Sequence, residues 1–171
     1  MGDKWGLEGD GRDAREWGKF DTYQGTFMSA LSLDQARTIV TGALGHAHAN
    51  NFQKLAIAVL DARGALKMFA AEDGTSLKRG EIAKGKADGA LALGMGSRSL
   101  FTRAQQQPFF VAAVTHAVGG SLIPVPGGVL IKDASGTLLG AVGISGDTSD
   151  NDEAAALAGV AAAGLTADPG A

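Results

Sequence analysis

The chain contains no cysteine. That absence removes disulfides, thiolate catalysis and every zinc or iron–sulfur site built on Cys ligands. No apolar stretch approaches the roughly 20 residues that a membrane-spanning helix needs. Positive charge is not in excess either: 15 Lys and Arg stand against 18 Asp and Glu, a formal net charge of -3. A general hold on DNA or RNA needs a basic face, so neither nucleic acid nor membrane is expected as a partner. No G-x-S-x-G elbow, Walker loop or HExxH helix is present, and no recognisable catalytic triad. The opening residues lack the apolar run of a secretory signal, which makes the cytoplasm the simplest compartment.

What is present fits one domain with a substantial core, since 171 residues are too few for two comfortable ones. Residues 1–27 show no sustained period and scatter Trp5, Trp17, Phe20, Tyr23 and Phe27 through a charged, Gly-rich background. They read as an N-terminal extension, with Met28 as an alternative start, ahead of a domain spanning 28–171.

Patterning begins at Ser32. Ser32-Leu33-Asp34-Gln35 has the form of a capping box, and apolar residues then recur at helical spacing from Leu33 to Ala47. Asn50-Asn51 should end that helix. Leu55–Asp61 is a short apolar run of the buried-strand kind, Ala62-Arg63-Gly64 a turn, and Ala65–Ala71 the returning strand. Asp73-Gly74-Thr75-Ser76 breaks the pattern, and a helix follows to Leu93 with its basic residues largely away from the apolar side. Gly80, Gly85 and Gly89 weaken that helix while marking close packing. Gly94–Gln107 is irregular or holds a short helix; Pro108 opens another that Gly119-Gly120 ends. Ser121–Pro126 reads as a short strand and constrained turn. Gly127–Lys132 and Thr137–Ser145 form a second hairpin around Asp133-Ala134-Ser135-Gly136, and Asn151–Leu165 is an Ala-rich terminal helix with an acidic first turn. Antiparallel hairpins with helices at either end predict an α+β layered fold.

The ordered set of motifs resembles the GlcG/HbpS-like haem-degrading family. It comprises Gly127-Gly128-Val129, Gly140-Ala141-Val142-Gly143-Ile144-Ser145-Gly146 and Asp152-Glu153, preceded by Ala58-Val59-Leu60-Asp61-Ala62-Arg63-Gly64 and Ile82-Ala83-Lys84-Gly85-Lys86-Ala87. The likeness runs from about Leu31 to Gly164. Leu130 stands where the family usually has Pro, and Met95–His116 matches poorly, which is where ligand preference is expected to vary. The resemblance implies a five-stranded antiparallel sheet flanked by helices with profilin-like layering, assembled into dimers or higher homo-oligomers. It also implies haem or a related tetrapyrrole as ligand, with haem degradation in some members. Related domains are joined to PduO-type corrinoid adenosyltransferases.

Haem requires an axial ligand, an apolar slot and cations for its propionates. His46 and His48 lie two apart on the first helix and cannot ligate one metal together; His116 follows Phe109, Phe110, Val111 and Val114. Arg79, Lys78 and Lys86 are candidate carboxylate partners, within a basic run (Lys78 to Arg103) whose ordinary reading is a solvated helix face. Ser145-Gly146-Asp147-Thr148-Ser149 leads into a helix N-terminus and either binds an anion or makes a plain connection capped by Ser149 or Asp150. Asp152 and Glu153 are acid, base or ligand candidates, although a helix dipole alone accounts for them. Pro124-Val125-Pro126-Gly127-Gly128 is a rigid bend followed by a flexible pair, at a pocket, a subunit contact or a plain turn. Two further readings stay open: a protein acting on a small carboxylate through Arg79, Lys86, Ser145 and Asp152, and a scaffold without catalysis. A polar pocket free of aromatics would favour the carboxylate reading.

Overall fold

The computed structural model describes residues 30–170. The N-terminal extension and the alternative start at Met28 lie outside them.

Ser32 caps α1 (Leu33–Ala49), and the capping box forms in full: the Ser32 hydroxyl accepts from Gln35 N while the Gln35 amide accepts from Ser32 N. Ala36, Ile39, Val40, Ala43 and Ala47 make the buried stripe. Asn50 ends the helix and Asn51 takes a left-handed φ of 56°, which Asn tolerates better than most residues. The first hairpin is β1 (Ala56–Asp61) and β2 (Leu66–Ala71). Three helices follow, α2 (Arg79–Leu93), α3 (Ser97–Gln106) and α4 (Pro108–Ala117), with Pro108 at the first turn of the last. The second hairpin is β3 (Gly128–Lys132) and β4 (Leu138–Ser145); α5 (Ser149–Ala162) and β5 (Thr166–Asp168) complete the chain.

The five strands form one antiparallel sheet in the order β2-β1-β4-β3-β5. Alternation along the strands sends Ile57, Val59, Val129, Ile131, Val142 and Ile144 to one face, where they meet α1 and α5 in the main core. Leu60, Leu130 and Ala141 face the other way and meet Ala87 and Ala90 of α2. The result is an α+β fold in which helices cover both sides of an antiparallel sheet, in agreement with the expectation.

Four details differ from the sequence reading. Ser121–Pro126 is not a strand: Leu122 is buried, and Ile123 N donates to Gly85 O of α2 instead of to a neighbouring strand. A side chain at Gly85 would lie 2.6 Å from Ile123, so this glycine permits the close packing its spacing suggested. Thr148, not Ser149 or Asp150, is the N-cap of α5, its hydroxyl accepting from Asn151 N. The strand β5 has only three residues, too few to show an alternating period, and an ion pair of 2.7 Å between Lys132 and Asp168 helps fix it to β3. The basic run is not uniformly solvated, because Lys86 is buried.

Candidate functional site

Lys86 projects from α2 and meets Asp152 of α5, so the two residues join helices that cover opposite faces of the sheet. Nζ and Oδ2 are 2.7 Å apart and both side chains are 2% exposed. The start of β3 makes the passage possible. Gly127 has φ +114°, and a Cβ there would lie 2.8 Å from Lys86 Nζ and 2.9 Å from Asp152 Cβ. A Cβ on Gly128 would fall 2.4 Å from Lys86 O. The Gly-Gly pair therefore supplies the space that the ion pair occupies. Gly128 N donates to the buried Ser97 Oγ at the start of α3, which ties the same point to a third helix.

Burial dominates the electrostatics here. Desolvation holds the Lys86 ammonium below its ordinary range and the Asp152 carboxyl above its own, while their mutual attraction opposes both shifts. Asp152 Oδ1 accepts from Asp147 N, and Asp147 Oδ2 accepts from Gln53 N at 2.6 Å. The hydrogen bonds from Gln53 N and Thr148 N hold the Asp147 carboxyl below the usual carboxylate range. In the β4–α5 connection, Asp147 N and Thr148 N are taken by the chain's own carboxylates. Gly146 sits in that connection, where a Cβ would be 2.2 Å from Lys54 O.

Arg79 opens α2 and donates to Ser145 Oγ, at the end of β4, over 3.2 Å. Its positive charge also acts on Lys86, Asp147 and Asp152. Arg98 of α3 spans Glu153 (2.8 Å) and Asp150 (2.6 Å), and hydrogen bonds to Asp150 and Glu153 raise its pKa. Glu153 is buried and its Oε2 has no hydrogen-bond partner. Arg79, Lys86, Gly127, Gly128, Ser145, Asp152 and Glu153 are therefore neighbours around the β3 start and the β4–α5 connection. Ion pairing with Lys86 and Arg98, beyond simple dipole complementarity, holds Asp152 and Glu153 in these buried positions. Burial leaves Lys86 with no exposed ammonium for a propionate.

The histidines lie elsewhere. His46 stands edge-on to Phe52 with ring centroids 5.6 Å apart. His48 Nε2 lies 2.7 Å from Glu72 Oε1, and Lys54 meets the same oxygen. His116 occupies the last turn of α4 and is exposed. That helix is unusual: only Val111 is buried, while Phe109 is 91% and Phe110 41% exposed. Phe109, Ala112, Ala113 and His116 have the spacing of a single helix face. The guanidinium of Arg103 sits 4.2 Å from the Phe110 ring centroid. The sequence singled out His116 and placed Arg103 in a basic run; the stacking of Arg103 on Phe110 joins α3 to α4 across the break at Pro108 that the sequence predicted.

Among the described residues, the surface hollows include three of about 400 Å³. One is bordered by Lys54, Glu72 and Asp73, a second by Arg63, Lys84 and Asp88, a third by Lys78, Glu81 and Ile123. None is lined by an aromatic side chain. Among the described residues, no cluster of His, Asp and Glu is arranged to hold a bare metal ion, and no helix is long and apolar enough to cross a membrane.

The model of the haem degrading protein HbpS-like family matches residues 31–161. The chain belongs to the HbpS-like family. Solved structures agree in fold. The PduOC:heme complex aligns at TM-score 0.72 and 23% identity over 81% of this chain and 98% of that one. HbpS aligns at 0.67 and 25% over 78% and 89%. The Klebsiella pneumoniae protein ORFY aligns at 0.69 and 21% over 78% and 90%. No curated protein sequence matches. The matched segment excludes residues 1–30 and begins one residue before the α1 cap.

Proposed function

We propose that this HbpS-like protein binds haem or a related tetrapyrrole on the exposed face of α4, with His116 as axial ligand. The observation that carries the reading is an apolar helix left open to solvent with a histidine at its end. A macrocycle needs a flat apolar bed, and the Ala112–Ala113 step between Phe109 and His116 offers one without bulky obstruction. Imidazole is the commonest biological haem ligand, and Arg103, stacked on Phe110 of the same helix, offers a cation for a propionate. Family membership and the likeness to HbpS support the same class of ligand. Bound haem would supply the iron; the chain supplies the ligand, the bed and the counter-charge. His48 is the weaker candidate, since Glu72 already engages its ring and Glu72 and Asp73 make its surroundings acidic. The protein acts as a cytoplasmic homo-oligomer in this reading.

Haemin titration followed in the Soret region tests it, with His116, His48 and His46 each changed to Ala. A saturable shifted band lost only in His116→Ala is expected. A spectrum equal to that of free haemin, or loss on His48→Ala alone, overturns it. Decay of the bound spectrum under reductant would extend the reading from binding to degradation.

A second reading is favoured by Arg79, whose hydrogen-bond partner is the neutral Ser145 hydroxyl. A small carboxylate would pair with the Arg79 guanidinium, whose charge already acts on the buried Lys86–Asp152 pair. Calorimetric titration with acetate, lactate and succinate, lost in Arg79→Gln, is the corresponding test.

A further inference from the structure

We infer that α4 is a ligand-ordered flap: it opens as a local unit between Gln107 and Gly120, and a macrocycle on its Phe109–His116 face holds it in place. The inference rests on the haem reading above and adds how that site is held.

The attachments of α4 are few. A ten-residue helix is marginal in water by itself, since about 12–15 residues are needed even for good helix formers. Its order must come from packing, yet Val111 is its single buried residue. Among the described elements, α3 is the main neighbour. Pro108–Ala117 contains no Asp, Glu, Lys or Arg to anchor it by an ion pair. The Thr115 hydroxyl donates to Val111 O, within the helix itself, and Gln107 caps the first turn without a side-chain hydrogen bond. Besides Val111, the clasp to the rest of the domain is Arg103 of α3 stacked on Phe110.

Both ends can turn. Gln107, at φ −136° and ψ 60°, breaks the helical path from α3 into α4. Gly119 and Gly120 follow the helix at φ +87° and +83°, and a Cβ on either would meet nothing within 4 Å. These two glycines serve conformation rather than close packing. The chain on either side is fixed. Leu100 of α3 and Leu122 are buried, and Ile123 N donates to Gly85 O. A weakly packed helix suspended between two fixed points is the kind of element that opens ahead of the core.

The ligand contributes what packing does not. Helical spacing puts Val111 on the side of α4 opposite Phe109, Ala112, Ala113 and His116. A macrocycle on His116 would cover the wet face while Val111 stays against the body, so binding selects the closed helix. Apparent affinity then scales with the fraction of molecules in which α4 is ordered.

Hydrogen–deuterium exchange read by mass spectrometry tests the flap in wild type and Val111→Ala, without ligand and with saturating haemin. In ligand-free wild type, α4 amides should exchange about tenfold faster than those of α1 and α5, or more, and haemin should slow them by a similar factor. Val111→Ala should speed α4 exchange further, leave α1 and α5 unchanged, and weaken haemin binding with the saturated Soret spectrum intact. Ligand-free α4 amides as slow as those of α1 overturn the flap, as does haemin that binds without slowing them. Equal acceleration of α1 and α5 in Val111→Ala overturns the local unit in favour of global opening. A Soret spectrum equal to that of free haemin overturns the haem reading instead, and the ligand-free exchange rates still decide whether α4 opens alone.

Discussion

Lys86 Nζ lies 2.7 Å from Asp152 Oδ2 with both side chains 2% exposed, so a buried ion pair connects α2 and α5, the helices on the two faces of the sheet. Removing one partner strands the other's charge in a low-dielectric interior, which costs about 3–5 kcal/mol. Lys86→Met is expected to lose that much in urea denaturation. The double variant Lys86→Met/Asp152→Asn should be more stable than Lys86→Met, because Asn carries no buried charge and its Oδ1 still accepts from Asp147 N. A double variant no better than the single one would mean that the carboxylate finds other compensation.

Gly127→Ala should destabilise this protein. The residue has φ +114°, and the new Cβ would sit 2.9 Å from Ile144 O as well as against the ion pair. Neither backbone oxygen nor a buried pair held on both sides can retreat. Strain of this kind costs roughly 1–3 kcal/mol before the loss of any salt bridge is counted. Thermal denaturation reads it directly.

Ser97→Ala probes the same junction from α3. The hydroxyl accepts from Gly128 N at 2.7 Å in a fully buried position. Its removal leaves a buried N–H without a partner, which costs about 1–3 kcal/mol. A loss of that size in urea denaturation is expected, with the native far-UV spectrum retained.

Much of this architecture is legible in the sequence because it rests on local signals. Ser32 and Gln35 announce α1, Pro108 opens α4, and the two hairpins follow their turn residues. The Gly-Gly-Val and Asp-Glu motifs pointed to a shared site, and the fold does bring Gly127, Gly128, Asp152 and Glu153 together. What remained hidden is non-local. Lys86 belongs to a run of basic residues that looks like a solvated face, and its partner lies 66 positions away on a different element. The open face of α4 is equally invisible, since Phe-Phe-Val-Ala-Ala-Val has the composition of a core helix. Its exposure depends on which neighbours fail to cover it.

Acid should weaken the fold through carboxylates held below their ordinary pKa. Asp147 is lowered by hydrogen bonds from Gln53 N and Thr148 N, and Asp168 by its bond from Lys132. Each then has a folded pKa under the unfolded value of 3.8, so its contribution is present above that pH and disappears as pH falls through the folded value. Asp152 acts in the opposite sense, because burial raises it and favours its protonated form in the folded state. Asp147→Asn isolates the first effect: its stability should fall less steeply than that of wild type below pH 3.8 in a series of urea titrations. Parallel curves would show that the Asp147 carboxylate gains nothing from the Gln53 and Thr148 backbone donors.

Phe109→Ser separates binding from stability. The side chain is 91% exposed at the open end of α4, so its loss should shift the folding free energy by no more than about 0.5 kcal/mol. The same side chain shares a face with His116 and forms part of the apolar bed proposed for the macrocycle. Haemin affinity should therefore drop while the axial ligation spectrum at saturation is unchanged, because His116 itself is untouched. His116→Ala should show the converse, altering the saturated spectrum whatever happens to affinity. Equal haemin affinity in wild type and Phe109→Ser would move the ligand off this face of α4.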